Sequence, residues 1–325
     1  MTGLGVLRDR PTPTGWRASA PVLAVHGGAG RIVPEEFGAQ RAAAARRGIG
    51  QSLAAGMAVL RDGGSALDAV VAAVVVLEDD EQFNAGRGAV LTAAGSVEHD
   101  AAVADGATRR AGAVACVSGI RNPVLAARTV LERTSHVLMS GAGAEELARR
   151  EGLASAPVDW FVTALRQEQL AAFLRRGRAE QESTGGTVGA VALDADGHLA
   201  AATSTGGTTG RLVGRIGDTP LVGAGTWADD RSCAVSATGD GEALILSVFA
   251  HEVDALVRLA GLSLDAACHQ ALREVEARTG TGGCIAVGPD GTVTMPFISA
   301  GMFRGSMDAT GVRRIGMVAE DLNES

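Results

Sequence analysis

Thr187 stands directly after Gly185-Gly186 and opens the run Thr187-Val-Gly-Ala-Val-Ala-Leu-Asp194. A threonine hydroxyl is a weak nucleophile until a base takes its proton. If the chain is cut between Gly186 and Thr187, the new α-amine, of pKa roughly 7.7–8.0, is that base. Glycine before the threonine suits such a cut: the junction tolerates strained dihedrals and lets the hydroxyl reach the carbonyl that precedes it. Thr203-Ser-Thr205-Gly-Gly207 lies at the far end of a second strand, so its hydroxyls return beside Thr187. Arg215-Ile-Gly-Asp218 joins a guanidinium to a carboxylate, and Thr238-Gly239-Asp-Gly241 ends a further strand in a turn where N–H groups converge. Each feature alone reads more plainly as a buried strand threonine or a surface ion pair. Together they supply a nucleophile, a base, oxyanion donors and charges for a substrate, which is what amide hydrolysis requires.

The elements that must position these residues follow from pattern. Val22–His26 reads as a buried strand running into Gly27-Gly28-Ala29-Gly30 after an N-terminal extension of about residues 1–20. A long alanine-rich helix is expected from Phe37 to Arg61, ended by Asp62-Gly63-Gly64, with Ser65 as N-cap of a helix to about Leu77. Short strands are expected at Ala89–Thr92, Val97–Ala102 and Ala111–Val117, then a helix opened by Asn122-Pro123 and running to about Arg133. A helical piece over Val158–Arg175 leads into a polar, glycine-rich stretch before Thr187, so that about 152–186 reads as a linker where proteolysis is tolerated. Thr187–Asp194 and His198–Ser204 form a hairpin about Ala195-Asp196-Gly197, and the same pattern recurs at Gly283–Val287 and Thr292–Phe297. Between them fall a strand at Cys233–Thr238 and helices over Glu242–Ala260 and Ser263–Arg278. Hairpins flanked by helices predict an α+β fold whose stacked sheets are mainly antiparallel.

Composition removes several classes of function. The chain of 325 residues has a net charge of −8 and no basic stripe, which predicts no nucleic-acid partner. It contains no lysine, so a Schiff base, a phosphate-loop lysine and a Ser–Lys dyad are all excluded. Cys116, Cys233, Cys268 and Cys284 lack metal or redox spacing and read as buried thiols. No signal-peptide pattern and no apolar run long enough for a membrane span are visible, which predicts a cytoplasmic protein.

Taken together, Val25-His-Gly-Gly-Ala-Gly30, Phe83-Asn-Ala-Gly86, Arg121-Asn-Pro-Val-Leu-Ala-Ala127, Gly186–Asp194, Gly214-Arg-Ile-Gly-Asp218, Val222-Gly-Ala-Gly225 and Met295-Pro-Phe297 resemble the plant-type L-asparaginase/isoaspartyl peptidase family of N-terminal nucleophile hydrolases. The resemblance spans nearly the whole chain and implies a four-layer αββα sandwich. It implies one structural domain cut into an α subunit, 1–186, and a β subunit, 187–325, assembled as a homo-oligomer, (αβ)2. The implied reaction is hydrolysis of β-aspartyl dipeptides, of the side-chain amide of L-asparagine, or of both. Thr187 would be the nucleophile, Thr205 its hydrogen-bonding partner, and the Thr238 hydroxyl with the Gly239 N–H the oxyanion hole. Arg215 would clamp the substrate α-carboxylate, Asp218 with Gly241 would hold its ammonium, and Asn84 would border the site. No cofactor is implied for the chemistry, but the backbone carbonyls of Leu77, Glu78, Asp80, Phe83, Ala85 and Arg87 would wrap a structural Na+.

Three departures from the family pattern bear on the leaving group: Asp79-Asp80-Glu81 is acidic, Thr208-Thr-Gly-Arg211 follows Gly207, and Phe297-Ile-Ser-Ala-Gly301 lacks the usual Asn and Glu. The acidic loop and Asp229-Asp230 suggest a preference for a basic leaving residue. Glycosylasparaginase-like and threonine-aspartase-like activities are the alternatives within the same class. From another class, a non-catalytic binding protein is the alternative, because Gly28-Ala-Gly30 is an incomplete nucleotide-binding fingerprint.

Overall fold

The structure is a computed structural model that describes residues 15–32, 38–176, 186–319 and 322–324. Its strands are β1 (Trp16–Arg17), β2 (Val22–Gly30), β3 (His99–Asp105), β4 (Arg110–Val117), β5 (Leu138–Ser140), β6 (Val188–Leu193) and β7 (Leu199–Thr205). They continue with β8 (Thr226–Asp229), β9 (Cys233–Gly239), β10 (Gly282–Val287), β11 (Thr292–Thr294), β12 (Gly301–Asp308), β13 (Arg313–Gly316) and β14 (Asn323–Glu324). The helices are α1 (Ala39–Arg61), α2 (Ala66–Asp79), α3 (Pro123–Arg133), α4 (Gly141–Arg150), α5 (Val158–Phe161) and α6 (Ala164–Arg176), then α7 (Gly241–Leu246), α8 (Phe249–Arg258) and α9 (Leu264–Ala277).

One sheet has nine strands in the order β14-β13-β12-β2-β6-β7-β3-β4-β5, and the other five in the order β1-β11-β10-β9-β8. Every ladder is antiparallel except β4–β5. The nine-stranded sheet packs α1, α2 and α3 on its outer face. The five-stranded sheet packs α8 and α9 on its own outer face, and the two inner faces meet in an apolar layer. These are the four layers of helix, sheet, sheet and helix, and the α+β expectation holds.

Local chemistry accounts for the elements nearest the site. Along α1 the buried residues Ala42, Ala45, Ile49, Leu53, Met57 and Leu60 recur at helical spacing. Ser65 caps α2 by accepting from the Asp68 N–H at 3.1 Å, and Asp194 Oδ2 accepts from the Ala66 N–H at 3.0 Å, tying the same helix start to the β6–β7 hairpin. In β6 the side chains alternate: Val188, Ala190 and Ala192 face the helices, whereas Val191 and Leu193 face the other sheet.

Several boundaries differ from expectation. Residues 89–92 form no strand but a loop, because their backbone is engaged in a turn in which Thr92 N–H donates to Ser96 O at 2.9 Å. The helix expected over Val158–Arg175 is two, α5 and α6, and that over Glu242–Ala260 breaks at Val248, which adopts φ +47. Asn122 precedes α3 without a side-chain cap, since its Nδ2 donates to Asp79 Oδ1 at 3.1 Å. Within the expected N-terminal extension, β1 pairs with β11. Residues 1–14, Phe37 and the linker stretch 177–185 lie outside the described residues. No described helix is long and apolar enough to cross a membrane.

Candidate active site

The inner faces of the two sheets change character along the strands. At one end they carry Val22, Ala24, Val191, Leu193, Leu199, Ala201 and Ala234. At the other, the same alternation brings His26, Thr187, Thr203, Thr205, Ser236 and Thr238 inward, all buried. Buried polar groups need partners, and most of these side-chain atoms find one within the group, His26 Nδ1 excepted. Thr226 Oγ1 donates to Thr203 Oγ1 at 2.7 Å, Thr203 Oγ1 and Ser236 Oγ share a bond of 2.8 Å, and His26 Nε2 lies 2.9 Å from Ser236 Oγ. Gly189 leaves room for this chain, since a Cβ there would collide with Ser236 Oγ and His26 Nε2.

Thr187 sits at the head of β6, only 7% exposed. Its Oγ1 donates to Thr205 Oγ1 at 3.2 Å, and Thr205 Oγ1 also accepts from the Gly207 N–H at 3.0 Å. Its N–H donates to Thr238 Oγ1 at 3.2 Å, and the Ala29 N–H donates to the same oxygen at 3.1 Å. With two donors received, the Thr238 hydroxyl keeps its own proton to give. Gly186 lies against β2: a Cβ on Gly28, whose φ is +107, would stand 2.5 Å from Gly186 Cα. The Gly186–Thr187 junction is thus seated between Gly28 and Thr238.

Gly239 holds φ +148 and is pressed against the Thr281 carbonyl, so only glycine fits there. Beyond it, Gly241 lies between two charged groups: a Cβ there would stand 2.6 Å from Arg215 Nη2 and 3.0 Å from Asp218 Oδ1. Arg215 and Asp218 therefore meet next to the Thr238-Gly239 turn. Asp218 is 4% exposed, and its Oδ2 is buried with no hydrogen-bond partner. Burial pushes its carboxyl up to about 7, partly offset by Arg215. A buried carboxylate oxygen without a partner, bordering the space beside Gly241, is what a ligand ammonium would complete.

Other residues hold the frame. Asn84 is fully used in positioning: Nδ2 donates to Gly207 O at 2.7 Å, Oδ1 accepts from the Val90 N–H at 2.8 Å, and its carbonyl accepts from the Gly206 N–H at 3.1 Å. Glu78 Oε1 accepts from Ser204 Oγ at 2.6 Å and from the Val124 N–H at 2.9 Å, and burial raises its carboxyl to about 8. It thereby ties the end of α2 to the residue before Thr205. The loop from Leu77 to Gly88 turns back on itself, with the Arg87 N–H on Glu78 O at 2.7 Å and the Phe83 N–H on Asp80 O at 3.2 Å. Main-chain oxygens of this loop are the hard donors that an alkali cation takes, and each retains a lone pair. Among the described residues, no group of three or more His, Cys, Asp or Glu side chains is arranged to hold a metal.

Three further residues were not singled out for chemistry in the sequence. Glu242 grips Arg215, with Nε donating to Oε1 at 2.9 Å and Nη2 to Oε2 at 2.7 Å. Arg211, buried, donates from Nη1 to the Arg215 carbonyl at 2.6 Å and lies 3.6 Å from Asp100, which is paired with Thr205 across β3 and β7. His26 was legible only as a core residue, and burial lowers its pKa to about 3, so it stays neutral and is a poor base. A period-two count back from Thr205 and Thr238 finds Thr203 and Ser236; Arg211 and Glu242 are found only by folding.

The acids expected to favour a basic leaving residue have other partners. Asp79 pairs with Arg121 at 3.0 Å and Glu81 with Arg87 at 3.3 Å. Asp229 pairs with Arg231 at 2.6 Å, and Asp230 with His198 at 2.8 Å. Asp230 also accepts from the Leu199 N–H, at the opposite end of β7 from Thr205 and about 20 Å away at strand rise. Asp79, Glu81, Asp229 and Asp230 thus lend that expectation no support from the structure.

A family profile described as asparaginase matches residues 19–317. The isoaspartyl peptidase of Salmonella typhimurium is 46% identical over 308 residues, covering 90% of this chain and 98% of its own. The mouse isoaspartyl peptidase/L-asparaginase is 41% identical over 291 residues, covering 86% of each. A probable isoaspartyl peptidase/L-asparaginase of Arabidopsis thaliana is 36% identical over 322 residues, covering 91% of this chain and 98% of its own.

Proposed function

Because this chain belongs to the asparaginase family, matched over residues 19–317, we propose that it is a threonine amidohydrolase that frees its own nucleophile and then releases L-aspartate from β-aspartyl dipeptides, L-asparagine or both. The observation that carries the reading is the convergence of Thr187, Thr205, Thr238 and Gly239 with Arg215 and the unsatisfied Asp218.

In the uncut chain the Thr187 hydroxyl attacks the Gly186 carbonyl, the C–N bond to Thr187 breaks as its nitrogen takes the hydroxyl proton, and water hydrolyses the resulting ester, leaving Gly186 as a carboxylate and Thr187 with a free α-amine. That amine afterwards accepts the hydroxyl proton, and Oγ1 attacks the substrate side-chain carbonyl. The Thr238 hydroxyl and the Gly239 N–H donate to the oxyanion that forms. The leaving amine takes up the proton, and water releases aspartate from the acyl-enzyme. Arg215 binds the α-carboxylate and Asp218 the α-ammonium, so a free amino-acid head group is held with its side-chain carbonyl toward Thr187. Neither His26 nor His99, both buried and lowered to about 3, competes with the amine as base. A Na+ held by the carbonyls of residues 77, 78, 80, 83, 85 and 87 would stiffen the loop that carries Asn84. Two cut chains associate as (αβ)2.

Incubation with β-aspartyl-leucine and with its α-linked isomer tests the activity. Aspartate release from the β isomer alone, lost in Thr187→Ala, is expected. Hydrolysis of the α isomer at an equal rate would contradict the assigned roles of Arg215 and Asp218.

A further inference from the structure

A guanidinium offers two bidentate edges, Nε with Nη2 and Nη1 with Nη2. In Arg215 the first edge is taken by Glu242, from the first turn of α7, through bonds of 2.9 and 2.7 Å. The second edge faces glycines. A Cβ on Gly217 would stand 2.7 Å from Nη1, and one on Gly241 would stand 2.6 Å from Nη2 and 3.0 Å from Asp218 Oδ1. The open edge of Arg215 and the carboxylate of Asp218 thus border the same space over Gly241.

We propose that Glu242 is a positioning residue: it locks the Arg215 fork so that Nη1 and Nη2 are presented to the substrate α-carboxylate. This rests on the reading of Arg215 as the carboxylate clamp. Arginine is a long side chain with much rotamer freedom, and fixing it before the substrate arrives removes that cost from binding. The Arg215 backbone is held independently, by Arg211 on its carbonyl at 2.6 Å, so the fork is the part left to be ordered. Glu242 is suited to the task. Its hydrogen bond from Arg215 holds its carboxyl below the usual range, so it stays ionised, and its side chain is 67% exposed, so solvent screens it from an arriving carboxylate. The pair is open to solvent on the Glu242 side, which limits what it adds to stability, so its effect belongs to substrate binding.

The test is steady-state kinetics of Glu242→Ala and Glu242→Gln on β-aspartyl-leucine, beside the wild type, with the cut state of each checked by mass. Loss of the lock raises KM on the order of tenfold in Glu242→Ala while kcat changes by less than about threefold, and Gln, which keeps one acceptor, falls between. An unchanged KM overturns the proposal. A lowered KM also overturns it, because Glu242 would then compete with the substrate for Arg215. A fall in kcat together with defective cutting overturns it too, since the residue would be structural. Wild-type protein that hydrolyses no β-aspartyl bond would instead remove the activity on which the proposal stands.

Discussion

Thr238 Oγ1 receives the N–H groups of Ala29 and Thr187 and so has its proton to spend on an oxyanion. Thr238→Val removes both functions. A fall in kcat of about 10²–10³ is expected from the lost donor. A fall in stability is expected as well, about 1–3 kcal/mol for each buried N–H left without an acceptor. Kinetics and thermal melting of the same preparation check the pair; a lost rate without lost stability would contradict the shared oxygen. Asp218 gives a pH signature. Its carboxyl is raised to about 7 by burial, so as pH falls through 7 it gains a proton and ceases to attract the substrate ammonium. The Thr187 amine, near roughly 8 when free, also protonates on that side. Because kcat/KM reports the free enzyme and kcat the complex, kcat/KM should fall more steeply than kcat on the acid limb. Parallel profiles would argue that Asp218 binds no cation. At this scale Thr187, Arg215 and Asp218 could be singled out in the sequence by chemical type and by the motifs that carry the family resemblance. Glu242 and Arg211 could not, since a lone Glu or Arg in a polar stretch reads as a solvated charge until folding places it.

The strands position the chemistry through their alternation of faces. Thr187 and Thr205 share the inner face at one end of the β6–β7 hairpin, while Ser204 on the outer face is held by Glu78 of α2. The hairpin and its turn were readable from the apolar run and Asp196-Gly197. The break of the long helix at Val248 and the absence of a strand at 89–92 were not, because both depend on what the segment packs against rather than on local propensity. The seat of the scissile junction is a property of β2. Gly28 approaches Gly186 so closely that a methyl group would displace it. Gly28→Ala should therefore slow self-cutting by at least about tenfold while leaving a folded chain; the strain moves the carbonyl relative to Oγ1, and small misplacements cost about 10²-fold. Time-resolved denaturing electrophoresis after synthesis reads the rate, and an unaltered rate would mean that β2 does not seat the junction.

Across the whole molecule, the proposed cut would fall between strands that interleave. In the nine-stranded sheet, β12 from beyond Thr187 pairs with β2 from before it, β2 pairs with β6, and β7 pairs with β3. The five-stranded sheet likewise adds β1 to β11. Cutting that one peptide bond would therefore expose no sheet edge and leave both halves in one core, so that the proposed nucleophile could be released without loss of the fold. The layered sandwich was legible as stacked antiparallel sheets between helices, but the strand order was not. Interleaving joins residues hundreds of positions apart, and no local pattern records it.

The most direct test of the account is intact mass measurement of the wild-type chain and Thr187→Ala under denaturing conditions. Two wild-type fragments are expected, one ending at Gly186 and one beginning at Thr187, which co-elute under native conditions, and a single 32.8 kDa chain in the variant. A wild-type chain that stays whole, or a variant cut at the same bond, would contradict it.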